Sequence, residues 1–568
     1  MTITDYVTIT VFAFLILAIG LSFSKTSGKD MKSFFAAGGA VPWWINSLSL
    51  FMGFVSAGTF VVWGAIAYSS GWVSITIQWT MSVAGFLVGM FIAPRWHKTK
   101  SLTAAEFISN RLGDNIQKTY SYLYLAIMVF MTGVYLYSVA RILEVSAGIP
   151  LSVCILALGI MVIAYTTFGG LWAVVVTDVL QFVILSAAAI IVVPLSFERV
   201  GGVTEFINSI PEQGFLNLSN HEYTWSFLIG FGLYNFFYLS GQWGFVQRFT
   251  SVSKPRDAKK VGYLFGILYL IFPVIWMLPP MIYRSINPEL IGLQDEGAYL
   301  MMCKDVLPAG MLGLILISLI LASNSSLQGV LNISAGVITN DLFKHLYPNS
   351  SEKKLMIVAK LSNVFFGLVM IILALFIPLM GGAKEVVLSI AALTGGPMYM
   401  PIIWSLFSKR QNGSTTLGAT IISFVITLSL KFLVPLISGF LLSRASEMVV
   451  GVAVPFLVIT VFEIWLRLRK NSKTDYERFQ AYQEEIIIQQ ANSKGQEVKE
   501  DNNGNNRGKQ MIGLGIFATG LIMAVLGLLT KTGQVEVLSV SSILLLIGGL
   551  IYYKTTQKSL HDKIQKRT

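Results

Sequence analysis

Apolar residues run along this chain in stretches of about twenty, separated by short polar loops, which is the spacing of helices that cross a hydrocarbon layer. The runs predict spans near residues 3–24, 43–68, 72–95, 117–147, 151–168, 173–197, 224–247, 258–283, 308–341, 355–380, 387–407, 414–436, 445–467, 511–530 and 537–553. The short alternating segments of a membrane barrel are not the pattern. A backbone group left unpaired in lipid costs several kcal/mol, so runs of this length satisfy themselves only as helices. The expected fold class is therefore all-α: a polytopic membrane protein of about fifteen transmembrane helices.

Composition agrees, since 54% of the 568 residues are hydrophobic and 12% are charged, which excludes an ordinary soluble domain. The formal net charge of +12 would fit a nucleic-acid binder if it were concentrated on one helix. It is instead spread over alternate loops and the tail, as in Lys25, Lys29 and Lys32, in Arg248, Lys254 and Arg256, and in Arg467, Arg469 and Lys470. No nucleic-acid partner is expected; the alternation is a topology signal that places the N-terminus outside and the C-terminus in the cytoplasm of a cell inner membrane. The opening stretch MTITDYVTITVFAFLILAIG carries Asp5 and lacks the basic start of a secretory leader, so it reads as a true first span. Cys154 and Cys303 are too few for a disulfide framework or a cysteine metal site and are expected as free thiols.

The chain divides into an N-terminal extra helix and loop (1–42), a first group of five core helices (43–198), a second group (199–410) and two additional helices (411–470). A polar segment rich in Asn, Gln and Gly (471–510) is expected as a disordered cytoplasmic linker, followed by two C-terminal helices and a basic tail (511–568).

Within lipid the informative residues are polar groups in mid-span, because each needs a partner inside the bundle or a wet cavity. In the second span, WWINSLSLFMGFVSAGTFVVWGAIAY, the residues Gly53, Ser56, Gly58 and Thr59 weaken the helix at its middle. A locally unwound stretch frees carbonyl oxygens for a hard cation, although close packing through small residues explains the same composition. In the ninth span Ala322, Ser325 and Ser326 fall at i, i+3 and i+4 on one face, where two hydroxyls and a carbonyl point the same way. Such serines also commonly bond back to their own helix. The seventh span has Gly230, Gly232, Gly241 and Gly244 around a polar and aromatic middle and is a second candidate broken helix, five spans after the first. That interval suits two five-helix repeats of opposite topology, with broken helices meeting at the centre. Asp178 is a carboxylate well inside the sixth span, open both to a helix-dipole role and to contact with a moving cation. Arg141 has Glu144 three residues on, so a local ion pair is expected.

At these residues the chain resembles the sodium/solute symporter family, which includes sodium/sugar, proline and sialic-acid carriers. The likeness covers roughly residues 5–470 and rests on VPWW…SLSLF…SAGTF, on FGGLWAVVVTDVLQ, on the QR closing span seven before a basic loop, and on ASNSS…TNDLF. It implies a leucine-transporter-type 5+5 inverted-repeat core, spans two to eleven, behind one extra N-terminal helix. Matching the motifs places a Na⁺ site on the carbonyls of Met52, Val55 and Ala322 and the hydroxyls of Ser325 and Ser326. A second site in some relatives uses the aspartate of the TDV motif, here Asp178, but the positions one turn beyond the serine pair are Gln328 and Gly329. The resemblance thus favours one Na⁺ per cycle. For the solute it points to Ser56, Thr59, Gln78, Asn235 and Tyr238, with Trp243 in the same aromatic stretch as Tyr238. Departures from the family pattern are Phe54 for an asparagine and Tyr269 for a lysine of the sugar carriers, and Met131 for an arginine of the sialic-acid carriers.

The function expected is Na⁺-coupled uptake of a small polar organic solute, a sugar or a sugar-derived or organic acid, by alternating access in the lipid bilayer, with the protein a monomer or loose oligomer. Rival readings are a proton-coupled carrier or channel of the same fold using Asp178, and a Na⁺/amino-acid symporter. An enzyme or sensor would need clustered His, Asp or Cys at one face or a soluble catalytic domain, and the four scattered histidines and short loops supply neither.

Overall fold

The computed structural model describes residues 1–27, 41–101, 103–165, 171–210, 214–343, 346–347, 349–469, 474–493, 502–530 and 532–565, and side chains are described for most of these. The described residues fold into helices, in chain order α1 Ile3–Ser27, α2 Trp43–Met52, α3 Thr59–Ser70, α4 Val73–Lys98, α5 Ala104–Leu112, α6 Asp114–Ala147, α7 Leu151–Tyr165 and α8 Leu171–Arg199. After the short α9 Val203–Asn208 come α10 Trp225–Gly241, α11 Trp243–Thr250, α12 Pro255–Ile286, α13 Ala298–Val306, α14 Met311–Gly336, α15 Glu352–Phe376 and α16 Gly382–Ser405. The chain ends with α17 Gly413–Ser438, α18 Arg444–Leu468, α19 Thr474–Ser493, α20 Asn502–Leu529 and α21 Gln534–Gln565.

Among the described residues ten helices are long and apolar enough to cross a membrane, and four further apolar helices are shorter. Among the described residues every expected span falls on a helix or on a pair of half-helices; the end of the fifth, 166–168, lies outside the described residues. The expected second span is interrupted between α2 and α3, and the expected seventh between α10 and α11.

The second break falls at Gln242, between Gly241 and Gly244, two of the four glycines named for it. Gly230 and Gly232 lie inside the regular α10, where a Cβ on Gly230 would come 3.0 Å from that of Met448, so this glycine serves close packing. The chain leaves the helix at Gln242, whose backbone is extended and whose side chain caps α11 by accepting from the Phe245 N–H (2.9 Å).

Close backbone crossing holds the helices around the breaks. Gly85 and Gly89 of α4 face Gly262 and Gly266 of α12, and a Cβ on Gly262 would lie 2.5 Å from the Gly89 Cα. Small residues four apart on both partners allow this approach, which in lipid supplies packing where no hydrophobic drive exists between helices. Asp5 of α1 reaches the start of α14, where its Oδ1 accepts from the N–H groups of Gly310 (2.8 Å) and Gly313 (3.1 Å). An anion at a helix N-terminus is favoured by the dipole, and this contact fixes the first helix to the core.

The segment expected as a disordered linker contains α19. Tyr476, Phe479 and Tyr482 recur every three residues and give an otherwise polar sequence one aromatic face. That face docks on α5: Phe479 meets Phe107 edge-on (5.5 Å between centroids), and Tyr482 donates to Glu106 Oε1 (2.8 Å). Gln483 adds a bond to the Lys98 carbonyl (3.1 Å). The last two helices form a hairpin whose α20 packs on α8, with Gly515 against Leu180. Cys154 and Cys303 are both buried free thiols.

Candidate functional site

The site forms where the two breaks meet. Between Met52 and Thr59 the backbone leaves the helical ladder: the Val55 N–H bonds only three residues back to Met52 (3.1 Å), and the Ser56 N–H turns to the Thr59 hydroxyl (3.1 Å). The Thr59 hydroxyl in turn donates to the Phe54 carbonyl (3.1 Å), so this side chain stitches the unwound turn. The Ala57 N–H donates to Ser323 Oγ of α14 (2.8 Å), which clamps the break directly against the serine-bearing helix.

That clamp joins the two segments that carry the residues matched to the Na⁺ site. Met52, Val55 and Ala322 are all buried, and Ser326 on α14 is half-buried. Ser325 lies on the described backbone of α14, but its side chain is outside the described residues, as are the side chain of Gln328 and the surroundings of Gly329. The oxygen types present, backbone carbonyls and small hydroxyls, are the donors a hard monovalent cation takes. Ser323 was not among the sequence candidates. It stood in the ASNSS run but off the i, i+3, i+4 face, and its role depends on which neighbour α14 meets.

Aromatic rings close the space between the breaks. Phe54, in the first break, stacks on Phe245, one turn past the second, with centroids 4.2 Å apart and planes at 20°. Tyr238 presents its edge to Phe54 (5.7 Å) and Tyr399 (5.6 Å), and Trp243 lies parallel on Tyr124 (4.6 Å, 8°). Tyr269 joins Phe51 (5.1 Å) and Phe54 (6.0 Å).

The other solute candidates are buried. Asn235 donates to the Thr80 hydroxyl (2.9 Å) and Ser56 sits in the break itself. Gln78 is 3% exposed and Trp243 9%, and neither Gln78 Oε1 nor Trp243 Nε1 has a hydrogen-bond partner among the described residues. Buried polar atoms are rarely left so.

Asp178, on the N-terminal part of α8, has side-chain partners on both broken helices. Ser49 of α2 donates to its Oδ2 (2.6 Å), Arg248 of α11 stands 3.7 Å away through Nη2, and Arg248 Nε also donates to Ser49 (3.0 Å). The carboxylate thus ties α8 to both broken helices through a resident guanidinium. Arg141 pairs with Glu144, as expected, and also donates to the Leu293 carbonyl (2.7 Å).

A model of the sodium:solute symporter family matches residues 34–423. The chain belongs to that family. It is accordingly a multi-pass membrane transporter with Na⁺ as its coupling ion and a small solute as its cargo. The sodium/sialic acid symporter SiaT of Proteus mirabilis is 26% identical over 432 residues, covering 73% of this chain and 87% of the relative. The sodium/glucose cotransporter of Vibrio parahaemolyticus is 27% identical over 472 residues, covering 76% and 85%. Sodium/myo-inositol cotransporter 2 of Sus scrofa is 26% identical over 483 residues, covering 76% and 70%. Among solved structures, a Na⁺-coupled sialic acid symporter in a substrate-bound outward-open state superposes with a TM-score of 0.68 at 23% identity, covering 82% of this chain and 98% of that one. The symporter therefore has the inverted-repeat fold.

Proposed function

We propose that this symporter binds one Na⁺ per cycle between the carbonyls of Met52, Val55 and Ala322 and the hydroxyls of Ser325 and Ser326. The observation that carries the reading is the Ala57 N–H to Ser323 Oγ bond, which holds the unwound turn of the first core helix against the serine-rich turn of α14. Na⁺ there ties α14 to the broken helix and stabilises the neighbouring solute pocket of Ser56, Thr59, Gln78, Asn235, Tyr238 and Trp243. Binding of each ligand then raises the affinity for the other by the same factor. Alternating access follows as the broken helices move relative to α14.

A single ion suffices energetically. One charge moving down about 100 mV yields roughly 2.3 kcal/mol and a tenfold Na⁺ gradient about 1.4 more, enough to concentrate a neutral solute roughly 500-fold. Asp178 is already neutralised by Arg248 and makes a structural tie rather than a second Na⁺ site. The chain crosses a cell inner membrane about fifteen times with its N-terminus outside, acts as a carrier and not as an enzyme, and works as a monomer or a loose oligomer. Its units are the first helix, the two core repeats of 43–198 and 199–410, two further helices, and the C-terminal hairpin.

The test is Na⁺-driven uptake in proteoliposomes. Ser325→Ala and Ser326→Ala are expected to raise the Na⁺ concentration for half-maximal uptake at least tenfold, with the amount of folded protein unchanged. Unaltered half-saturation in both variants rejects the site, and uptake that follows a pH gradient and ignores Na⁺ replaces it with proton coupling.

A further inference from the structure

We infer that α19 is a strap that positions the second break: docked on α5 it restrains the chain around Gln242 in the arrangement seen here, and its release frees that break to move. This role rests on the broken helices moving during transport, as proposed above, and adds the element that restrains them.

A break leaves the last carbonyls of the preceding helix without their intrahelical donors. Ser240, two residues before Gln242, is fully buried, so its carbonyl cannot turn to water, and the donor it finds is Trp96 Nε1 of α4 (2.7 Å). His97 follows, with Nε2 2.9 Å from the Val252 carbonyl just past the end of α11. The last turn of α4 therefore grips the chain on both sides of the break. Lys98 ends that turn, and its carbonyl accepts from Gln483 Nε2 of α19 (3.1 Å).

Packing makes the same connection. Trp96 meets Phe107 of α5 edge-on (5.0 Å between centroids, planes at 76°), and Phe107 meets Phe479 of α19 edge-on (5.5 Å, 88°). All three rings are buried in close packing, so a shift of one is felt by the next. The start of α19 is fixed elsewhere. Asp475 Oδ2 accepts from the Gly413 N–H at the head of α17 (3.3 Å), and the Tyr476 ring lies 5.3 Å from the guanidinium of Arg111, which donates to the Ser408 carbonyl (2.9 Å). The helix thus spans from the joint between α16 and α17 to the joint between α4 and α5. It lies beyond the residues 34–423 that match the family.

Movement of α11 must either part the Trp96 and His97 contacts or carry the end of α4 with it. The second course pulls Phe107 and Lys98 away from α19, so docked α19 raises the cost of leaving the present arrangement. The element with two states is α19 itself, held by one aromatic face and a few polar bonds.

The experiment uses the full chain in proteoliposomes, with Phe479→Ala, Tyr482→Phe and Gln483→Ala combined to release α19 and tryptic cleavage at Arg478 to verify the release. Amide exchange over residues 240–249 in Na⁺-free buffer is expected to rise about fivefold, while exchange over the first break, 52–59, changes by less than about twofold. Trp96→Phe keeps a ring but removes the donor to Ser240, and in that background releasing α19 is expected to add less than about twofold. The same reduced effect is expected with Phe107→Leu, which interrupts the rings and leaves the Ser240 bond in place. Unchanged exchange at the second break after release, an equal rise at both breaks, or the full rise in both interrupted backgrounds overturns the inference. Cleavage that does not accelerate in the triple variant overturns it as well, since α19 would then not be held by this face. The change in intrinsic tryptophan fluorescence on mixing with Na⁺ alone is read in parallel and should become about threefold faster on release, with half-saturation unchanged. Faster exchange without a faster response would leave α19 a structural brace and reject its role in transport. Absence of any Na⁺ response in the unaltered protein rejects the proposed ion site instead, whereas the exchange comparison is made without Na⁺ and stands or falls alone.

Discussion

Phe54 lies in the unwound turn of one core helix and Phe245 one turn beyond the break in the other, and their rings stack 4.2 Å apart. The two interrupted helices are thereby joined at the point where each has given up its own hydrogen-bond ladder. A stacked pair contributes about 0.5–1.5 kcal/mol beyond its area. Phe54→Leu keeps most of the bulk and removes the stacking, so it is expected to loosen the closed arrangement and raise solute efflux in the absence of Na⁺ about fivefold. Efflux from preloaded vesicles measures this, and a leak equal to that of the unaltered protein counts against the pair as a closing contact.

Ser323 and Ser326 are three residues apart on α14 but should fail in different ways. Ser323→Ala leaves the buried Ala57 N–H without its acceptor, which costs about 1–3 kcal/mol, so thermal stability falls before ion affinity is considered. Ser326→Ala removes a proposed ion ligand and is expected to lower the melting temperature little in Na⁺-free buffer while abolishing most of the Na⁺-induced stabilisation. Melting curves with and without Na⁺ decide it; identical behaviour of the two variants contradicts the separate roles.

Asp178 and Arg248 form a buried pair, and removing one member strands the other charge at a cost of about 3–5 kcal/mol. Asp178→Asn and Arg248→Gln should therefore each destabilise strongly, while the double variant costs less than the sum of the two. A double-mutant cycle on unfolding temperature tests this. Strict additivity would show that the two groups do not sense each other.

Phe479 is the buried centre of the contact between α19 and α5. Truncating a buried phenylalanine costs about 3–5 kcal/mol, more than a single exposed amphipathic helix gains from docking. Phe479→Ala is expected to release α19, seen as faster tryptic cleavage at Arg478 and faster amide exchange over residues 474–488. Unchanged cleavage would mean that the polar contacts of Tyr482 and Gln483 hold the helix alone.

Asp295 lies in the turn Gly292–Gly297 between α12 and α13, outside the spans, where burial pushes its carboxyl up to about 7, with Lys384 opposing the rise and Glu296 adding to it. The folded state favours the protonated form. The stabilisation is thus complete below about pH 4 and is lost as pH rises through about 7. Asp295→Asn should flatten the decline in melting temperature between about pH 5 and 8, and parallel curves for the two proteins would contradict the assignment.

The sequence by itself determined the helical class, the break near Gly53 and the family, because lipid imposes a period and a length that apolar runs must obey. It also marked Asp178 as unusual and Arg141 as the partner of Glu144. It named four glycines for the second break without separating Gly241 and Gly244, which flank it, from Gly230 and Gly232 inside α10, since a glycine in a helix reads alike whether it loosens the backbone or admits a neighbour, and only Met448 against Gly230 shows the latter. It left α19 unread because a helix of low average hydropathy is stabilised by one aromatic face against a partner that adjacent sequence does not contain. Tertiary structure alone decided that Ser323, rather than its neighbours, clamps the unwound turn and that Arg248 answers Asp178. Those contacts join residues 266 and 70 positions apart, and the cost of leaving an N–H or a charge unpaired away from water is settled only by what the fold places beside it.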